Sequence, residues 1–366
     1  MPTFRHKKSA SSSQVRRPPA AAAVRSGEQF DVSAVDAWLR ERVPGLKGPP
    51  TVTQFSGGAS NWTYRLLYPG HDLVLRRPPA GTKARSAHDM KREYQVQKAL
   101  RPAFPYVPEM IAFCDEPALI GCDFYVMRHI DGIIPRATLG VQLDREDTRR
   151  LCLNVIDTLV ELHRIDPNSV GLQGLGRGPG YVRRQVKGWS DRFRKARTWN
   201  VPRFRRVMSW LERRAPDDIS TCIIHNDFRL DNVVLDRAEP TRVIGVLDWE
   251  MATIGDPLMD LGGSLAYWVQ ANDDRIGLGL RRQPTHLPGM LTRREVVEYY
   301  CGRMGFPTDN MAFYQVFGLF RLAVIAQQIY YRYHHKQTRN PAFKNLWFAV
   351  HYLHYKCWRA MLGGPG

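Results

Sequence analysis

Paired cysteines, long apolar runs and acidic residues are all scarce in this sequence of 366 residues. Its six cysteines stand far apart and form no C-x-x-C pair, which argues against a structural zinc site and a dithiol redox motif. They are Cys114, Cys122, Cys152, Cys222, Cys301 and Cys357. Isolated cysteines in a chain of this length predict reduced thiols and a cytoplasmic compartment.

The apolar runs are too short for a membrane helix, which needs roughly 18 consecutive apolar residues. The best candidate, Val316 to Ile329, is interrupted by Arg321. Residues 1–10 lack the apolar core of a secretory signal. We therefore expect neither a membrane span nor secretion.

Acidic residues are outnumbered, with 35 Asp and Glu against 53 Lys and Arg and a formal net charge of +18. Such an imbalance favours anionic partners, such as phosphates, nucleic acid, acidic lipid or anionic cofactors. Solubility combined with a basic tail would explain the charge equally. The chain is longer than one compact core usually requires, so two lobes are expected.

Residues 1–28 are rich in Ser, Ala, Pro and Arg, and six Lys or Arg precede the first acidic residue, Glu28. This composition buries too little apolar surface to offset the entropy of ordering, so we predict a disordered basic tail. An organelle transit peptide would have a similar composition.

After the tail, apolar spacing predicts an α+β protein with a small sheet-plus-helix N-lobe over residues 29–129 and a larger, mostly helical C-lobe over residues 130–366. The predicted helices are Phe30–Arg42, Ala87–Leu100, Thr148–His163, Arg293–Met304 and Phe313–Tyr333. The predicted strands are Thr51–Phe55, Thr63–Leu67, Asp72–Leu75, Phe124–Ile130, Ile219–Ile224 and Val243–Leu247.

The strongest chemical pattern is the polar segment His225-Asn226-Asp227-Phe228-Arg229-Leu230-Asp231-Asn232, followed by Asp248-Trp249-Glu250. Each segment comes after an apolar run that predicts a strand, so both should lie at strand ends and close together. Phosphoryl transfer needs a carboxylate at the acceptor hydroxyl and metal ligands on the triphosphate. Asp227 can supply that carboxylate, and Asn232 and Asp248 can bind Mg²⁺, which prefers hard oxygen ligands. Turn capping would account for a single Asp, but not for this combination.

These residues resemble the catalytic loop of the aminoglycoside phosphotransferase and choline-kinase-like enzymes, which are relatives of the protein kinases. His225, Asp227 and Asn232 match that loop, and Asp248 matches the metal-binding Asp of the kinase D-F-G motif. The likeness runs from about Thr53 to Leu261 and more loosely beyond. It implies a two-lobed protein-kinase-like fold that uses ATP and Mg²⁺ to phosphorylate a hydroxyl of a small molecule.

The same resemblance assigns roles to residues around the loop. Arg229 stands where many protein kinases carry a catalytic-loop Lys, so it is a candidate to neutralise charge on the γ-phosphate in the transition state. Asp256 and Asp260 are expected to brace the catalytic loop by hydrogen bonds rather than to take part in the chemistry.

The nucleotide candidates lie in the N-lobe. Glycines between the first two predicted strands let backbone amides approach phosphates, although an ordinary hairpin turn has the same residues. Arg76 departs from the family by replacing the strand lysine that contacts the α- and β-phosphates, and Glu93 is its implied ion-pair partner. Arg77 is the alternative cation, but strand alternation should point it the other way. The remaining candidates, in the glycine segment and the interlobe hinge, are Ser56, Gly57, Gly58, Ser60, Asn61, Met127, Arg128 and Ile130.

Charge also bears on the acceptor. Residues 177–214 contain 13 Lys or Arg against only Asp191 and Glu212, a local net charge of +11. A polycationic aminoglycoside would be repelled by such a surface, whereas an acceptor with its own phosphates would be attracted. A solvated basic helix is the alternative explanation.

Three short segments further resemble the branch of the family that is fused to, or encoded beside, acyl-CoA dehydrogenases: Arg76-Arg77-Pro78-Pro79, Ser86-Ala87-His88 and Tyr181-Val182-Arg183-Arg184-Gln185-Val186. That branch implies a hydroxyacyl-CoA acceptor and a functional partner of the acyl-CoA dehydrogenase type. The candidate acceptor contacts are Arg183, Arg184, Lys187, Arg192 and Trp189.

Other functions stay open. A kinase of aminoglycosides or amino-alcohols would need an acidic acceptor pocket. A nucleotide-binding pseudokinase scaffold is opposed by the catalytic positions, all of which except the strand Lys are filled. Binding of RNA or DNA through the tail and the basic helix is supported by charge alone, without a nucleic-acid motif, so no specific nucleic-acid partner is expected.

Overall fold

A computed structural model describes residues 22–55, 61–79 and 89–363. Its small lobe is built on an antiparallel sheet of five strands in the order β1-β2-β3-β5-β4. The strands are β1 (Thr51–Gln54), β2 (Trp62–Tyr68), β3 (His71–Arg77), β4 (Met110–Cys114) and β5 (Phe124–Arg128). The helices of this lobe are α1 (Val32–Arg40), α2 (Met90–Leu100) and the short α3 (Pro117–Ile120).

Different helices pack against the two faces of the sheet. Tyr64 and Leu66 on one face join the cluster that contains Trp38 of α1. Val74 and Met127 on the other face pack with α2. Because side chains alternate along a strand, neighbouring residues of β3 point to opposite helices.

The N-terminal boundary of this lobe differs from the predicted one. Residues 22–28 lie against the sheet: Ala22 pairs with Gln54, and the Tyr64 hydroxyl donates to the Glu28 carbonyl at 2.6 Å. The described part of the predicted tail is therefore ordered. The backbone groups of residues 22–28 form hydrogen bonds with Gln54 at the edge of the sheet and with the buried Tyr64. These partners are distant in sequence, so the composition of the tail does not predict them. Residues 1–21 lie outside the described part of the chain.

The large lobe is mostly helical, as predicted. Its helices are α4 (Arg145–His163), α5 (Tyr181–Ala196), α6 (Arg205–Arg214), α7 (Pro257–Leu265), α8 (Arg275–Leu280), α9 (Arg293–Met304), α10 (Met311–His334) and α11 (Leu346–Met361). Two small antiparallel pairs join β6 (Cys222–Ile224) to β9 (Thr253–Gly255) and β7 (Val233–Leu235) to β8 (Val243–Val246). The strand predicted from Ile219 starts only at Cys222, because the Ile219 N–H donates to the Asp256 side chain instead of to a sheet.

Helix α10 runs through the core of the large lobe and crosses α7 at very short range. A Cβ atom on Gly318 would lie 2.0 Å from the carbonyl oxygen of Gly262, and one on Gly262 would lie 2.5 Å from that of Tyr314. Only glycine allows the two backbones to approach this closely.

The same helix is the one membrane-span candidate that the described residues contain. By length and composition alone Met311–His334 could cross a membrane, but 67% of its most apolar window is buried inside the protein. Core helices pass the same test.

Candidate active site

The candidate catalytic loop, His225 to Asn232, begins directly after β6 and is held in place by hydrogen bonds to α7. Asp260, in the first turn of α7, accepts the backbone N–H groups of His225 at 2.7 Å and Asn226 at 2.9 Å. Burial opposes ionisation of Asp260, but the hydrogen bond and charge of His163 outweigh it and lower the pKa. Asp260 therefore braces the loop as a carboxylate, as predicted.

His225 ties this loop to the segment after β8. Its Nδ1 accepts the N–H of Asp227 at 3.2 Å, so Nε2 carries the proton and donates to the Leu247 carbonyl at 3.0 Å. In return, the Leu247 N–H donates to the Asn232 carbonyl at 2.8 Å. The predicted proximity of the two polar segments is confirmed.

Asp227 and Asn232 contact each other across the loop. The Asn232 amide nitrogen donates to the Asp227 carbonyl oxygen at 2.8 Å and to its carboxylate Oδ2 at 3.1 Å. Among the described residues, no hydrogen bond uses the amide oxygen of Asn232, which can therefore accept from, or coordinate, another group. Burial raises the pKa of Asp227, with the charge of Arg229 opposing it, which suits a carboxylate that takes a proton.

Asp248 lies at the start of a one-turn 3-10 helix with φ +69°, a left-handed conformation that is costly for a residue other than glycine. Burial works against its ionisation, but the charge and hydrogen bond of Arg76 lower its pKa below the ordinary value. In the described ranges no three or more His, Cys, Asp or Glu side chains form a metal-binding group. One carboxylate and one amide oxygen, completed by phosphate oxygens and water, suit Mg²⁺ rather than a fully protein-ligated metal.

Arg76 reaches this site from the small lobe. Its Nη2 lies 2.6 Å from Asp248 Oδ1 and 3.5 Å from Glu250 Oε2, and its Nε lies 3.5 Å from Glu93 Oε1. The implied pair with Glu93 thus forms. Arg77 points to the opposite face, where it donates to the Glu28 carbonyl at 2.8 Å.

Two further residues of the small lobe contact the segment after Asp248. The Asn61 amide donates to Glu250 Oε2 at 3.1 Å. Arg92 of α2 donates to the Glu250 carbonyl at 3.3 Å and also to that of Ala252. The nucleotide candidates Ser56, Gly57, Gly58 and Ser60 fall outside the described residues, as do Ser86 to His88.

At the hinge that follows β5, two of the three backbone N–H groups from Arg128 to Ile130 donate to carbonyl groups of the small lobe. The N–H of Arg128 donates to Glu109 at 2.8 Å and that of His129 to Asp72 at 3.0 Å. The next N–H, of Ile130, has no partner within the described ranges. The Arg128 side chain is exposed and pairs with Glu109 at 2.5 Å, while Met127 is buried beneath the sheet.

Arg229 is held beside Asp227. Its Nε lies 3.2 Å from Asp227 Oδ1 and 3.4 Å from Asp231 Oδ1, and its guanidinium carbon lies 4.7 Å from the centre of the Tyr267 ring. Tyr267 could not be identified from the sequence, because no motif marks its position after α7.

Arg321 was also missed, since in sequence it only interrupts an apolar run. It is 8% exposed, and its Nη2 donates to the Asn226 carbonyl at 2.6 Å. Asn226 has φ +64°, so Arg321 steadies a strained position one residue before Asp227.

The basic residues predicted to contact the acceptor are divided over different faces of α5. Arg192 lies against Trp189 at 4.5 Å, and Arg321 lies against the same ring at 5.4 Å. Arg183, by contrast, lies 3.4 Å from Asp217 and lines a groove of about 400 Å³ between α5 and α6, together with Lys187. Arg184 donates to carbonyls of the preceding turn, including Gly178 at 2.5 Å.

Comparison with known proteins establishes the family. The profile of the Phosphotransferase enzyme family matches residues 51–296, and this chain belongs to that family. Acyl-CoA dehydrogenase family member 11 of Gallus gallus is 36% identical over 326 residues, which cover 86% of this chain and 41% of that protein. This chain spans about two fifths of the length of such relatives.

Solved structures agree on the fold. A Ralstonia eutropha JMP134 protein, provisionally named an aminoglycoside phosphotransferase, has a TM-score of 0.78 and 27% identity, and the match covers 92% of this chain and all of that one. ADP-bound aminoglycoside phosphotransferase APH(2'')-Ib has a TM-score of 0.58 and 15% identity, with 90% of this chain and 99% of that one covered. The two-lobed protein-kinase-like fold predicted from the sequence is confirmed, as is the likeness to proteins named for acyl-CoA dehydrogenases.

Proposed function

We propose that this phosphotransferase uses ATP and Mg²⁺ to phosphorylate a hydroxyl of an anionic small molecule, with a hydroxyacyl-CoA as the best candidate. The observation that carries the proposal is the joined cluster of Asp227, Asn232 and Asp248, with Arg76 contacting it from the other lobe. Nucleotide use is supported by the ADP-bound neighbour of the same fold. The six widely spaced cysteines, with no C-x-x-C pair, support a cytoplasmic location.

In this proposal each residue has one task. Asp227 orients the acceptor hydroxyl and takes its proton, since burial raises its pKa. Asn232 and Asp248 would hold Mg²⁺, which when bound neutralises charge on the triphosphate. Arg229, next to Asp227, is placed to stabilise negative charge that develops on the transferred phosphoryl group.

The choice of acceptor is supported by charge near the loop. Arg229 and Arg321 supply cations beside Asp227 and Asn226, and Arg192 lies against the same Trp189 ring as Arg321. Such surroundings oppose a polycationic amine and favour an acceptor that carries phosphates. The relatives named for acyl-CoA dehydrogenases point to a thioester of CoA and to a dehydrogenase-type partner.

A direct assay decides between acceptors. Purified protein with Mg·ATP is offered a hydroxyacyl-CoA, the matching acyl-CoA without the hydroxyl, and a kanamycin-type amine, and the phosphorylated product is detected by mass spectrometry. We expect phosphate only on the hydroxylated thioester. Turnover of the amine alone would replace our acceptor with the aminoglycoside alternative, for which the Ralstonia neighbour is named. ATP binding without transfer to any acceptor would support a pseudokinase.

A further inference from the structure

Two arginines from distant parts of the chain meet on one indole ring beside the catalytic loop. Arg192 of α5 and Arg321 of α10 have their guanidinium carbons 4.5 Å and 5.4 Å from the centre of the Trp189 ring. The Trp189 Nε1 donates to Gln185 Oε1 at 3.1 Å, which fixes the ring within α5. With only 7% of its surface exposed, Trp189 supports the guanidiniums and has little face left for a ligand.

Neither arginine has a carboxylate partner in the part of the chain that the structure describes, although both belong to a lobe with many ion pairs. Arg321 is more than nine-tenths buried, and its contacts are a carbonyl oxygen and a ring. The charge of Arg321 reaches Asp227 at longer range, but a cation this deeply buried is stabilised further when an anion contacts it directly. A guanidinium that lies against a ring also keeps its in-plane N–H groups available for phosphate oxygens.

The position of this pair is defined by the catalytic loop. Arg321 donates to the carbonyl of Asn226, the residue before Asp227, while Arg192 lies at the solvent-exposed end of the same stack. A ligand that touched both would extend from solvent toward the carboxylate proposed to receive the acceptor proton. Arg183 and Lys187 line the separate groove between α5 and α6 instead.

From this geometry we infer that Arg192 and Arg321, held on Trp189, bind a phosphate or pyrophosphate group of the acceptor and so select for phosphorylated acceptors. The inference rests on the proposed function. It assigns anion binding to one pair of side chains instead of to the whole basic stretch of residues 177–214. Arg321 also positions the loop through Asn226, whereas the contact described for Arg192 is with Trp189 and not with the loop, so Arg192 reports on anion binding.

The test measures binding of CoA by calorimetry with the nucleotide site filled by Mg·AMP-PNP, so that the adenosine part of CoA is kept out of that site. We expect Arg192→Gln to weaken CoA binding about tenfold or more, as loss of a charge-assisted hydrogen bond predicts. Arg213→Gln is the matched control, because Arg213 is an exposed arginine of α6 whose loss removes the same charge. It should change CoA affinity less than about twofold.

Two further measurements complete the test. Pantetheine, which has no phosphate, should bind wild type and Arg192→Gln equally. Arg321→Lys should retain more CoA affinity than Arg321→Gln, with the folded state of both verified by thermal unfolding. Equal CoA binding by wild type and Arg192→Gln, equal losses in Arg192→Gln and Arg213→Gln, or no CoA binding by wild type would overturn the inference. Arg192-dependent CoA binding without phosphorylation of any hydroxyacyl-CoA would uphold the anion site and refute only the proposed acceptor.

Discussion

Nη2 of Arg76 lies 2.6 Å from Oδ1 of Asp248, so a cation from the small lobe contacts the carboxylate that our proposal gives to Mg²⁺. A lysine could not reach Asp248, Glu93 and Glu250 at the same time through a planar fork of donors. We expect Arg76→Lys to raise the KM for Mg·ATP by about three- to tenfold, because roughly one charge-assisted contact is lost. Steady-state kinetics measure this.

Arg40→Lys is the control for that substitution, since Arg40 is an exposed arginine of α1, on the other side of the sheet from Arg76, and pairs with Asp36 at 2.9 Å. It should leave the KM unchanged. If Arg76→Lys behaved like this control, the fork of contacts would have no part in nucleotide binding.

Substitutions of the two proposed site carboxylates, Asp227 and Asp248, should have different kinetic effects. Asp227→Asn keeps the shape but cannot take a proton, so turnover should fall roughly 10²–10⁴-fold while ATP binding persists. Asp248→Ala should instead weaken binding of Mg·ATP itself. Turnover and nucleotide titration together distinguish the two losses, and Asp217→Asn, whose side chain is 94% exposed, serves as the control. Normal turnover in either variant would remove that residue from the mechanism.

The crossing of α7 and α10 should tolerate no side chain. In Gly318→Ala the new methyl would meet the Gly262 carbonyl, which a Cβ atom would approach to 2.0 Å. We expect a loss of about 1–3 kcal/mol in the free energy of unfolding, measured with urea. Gly302→Ala in α9 has no atom within 4 Å of the added Cβ and should be neutral or stabilising by up to about 1 kcal/mol. Equal stabilities would show that the two helices can separate freely.

Asp256 should make stability depend on pH. Burial raises its pKa from 3.8 to about 6, although backbone N–H groups of Ile219 and Met259 oppose that rise. The fold therefore favours the protonated carboxyl, and this contribution is fully present below about pH 4 and is lost as the pH rises through about 6. The stability advantage of wild type over Asp256→Asn should shrink by roughly 1–3 kcal/mol between pH 4 and pH 7.5.

Urea unfolding at several pH values measures this difference. Gly302→Ala, which changes no titratable group, is the control, and its stability difference from wild type should not depend on pH. A wild-type advantage that grew with pH would mean that the backbone donors dominate and that Asp256 is ionised throughout.

The site could be predicted where it is local in sequence and not where it depends on distant contacts. Asp227 and Asn232 share one loop, so the sequence alone placed them together, and strand alternation correctly separated Arg76 from Arg77. Arg321 joins the site from 95 residues beyond Asn226, and nothing in its apolar helix indicates that contact. The burial of Trp189 and the ordering of residues 22–28 likewise depend on partners that a linear pattern does not identify.

The glycine contact between α7 and α10 also bears on the loop that carries Asp227. Arg321 lies one turn after Gly318, and a Cβ on Gly263 would lie 2.9 Å from its Nη1. A larger residue at this crossing would move α10, and with it Arg321, away from Asn226. The packing of these two helices is therefore linked to the geometry of the loop: variants that keep Arg321 against Asn226 must also keep small residues at 262, 263 and 318.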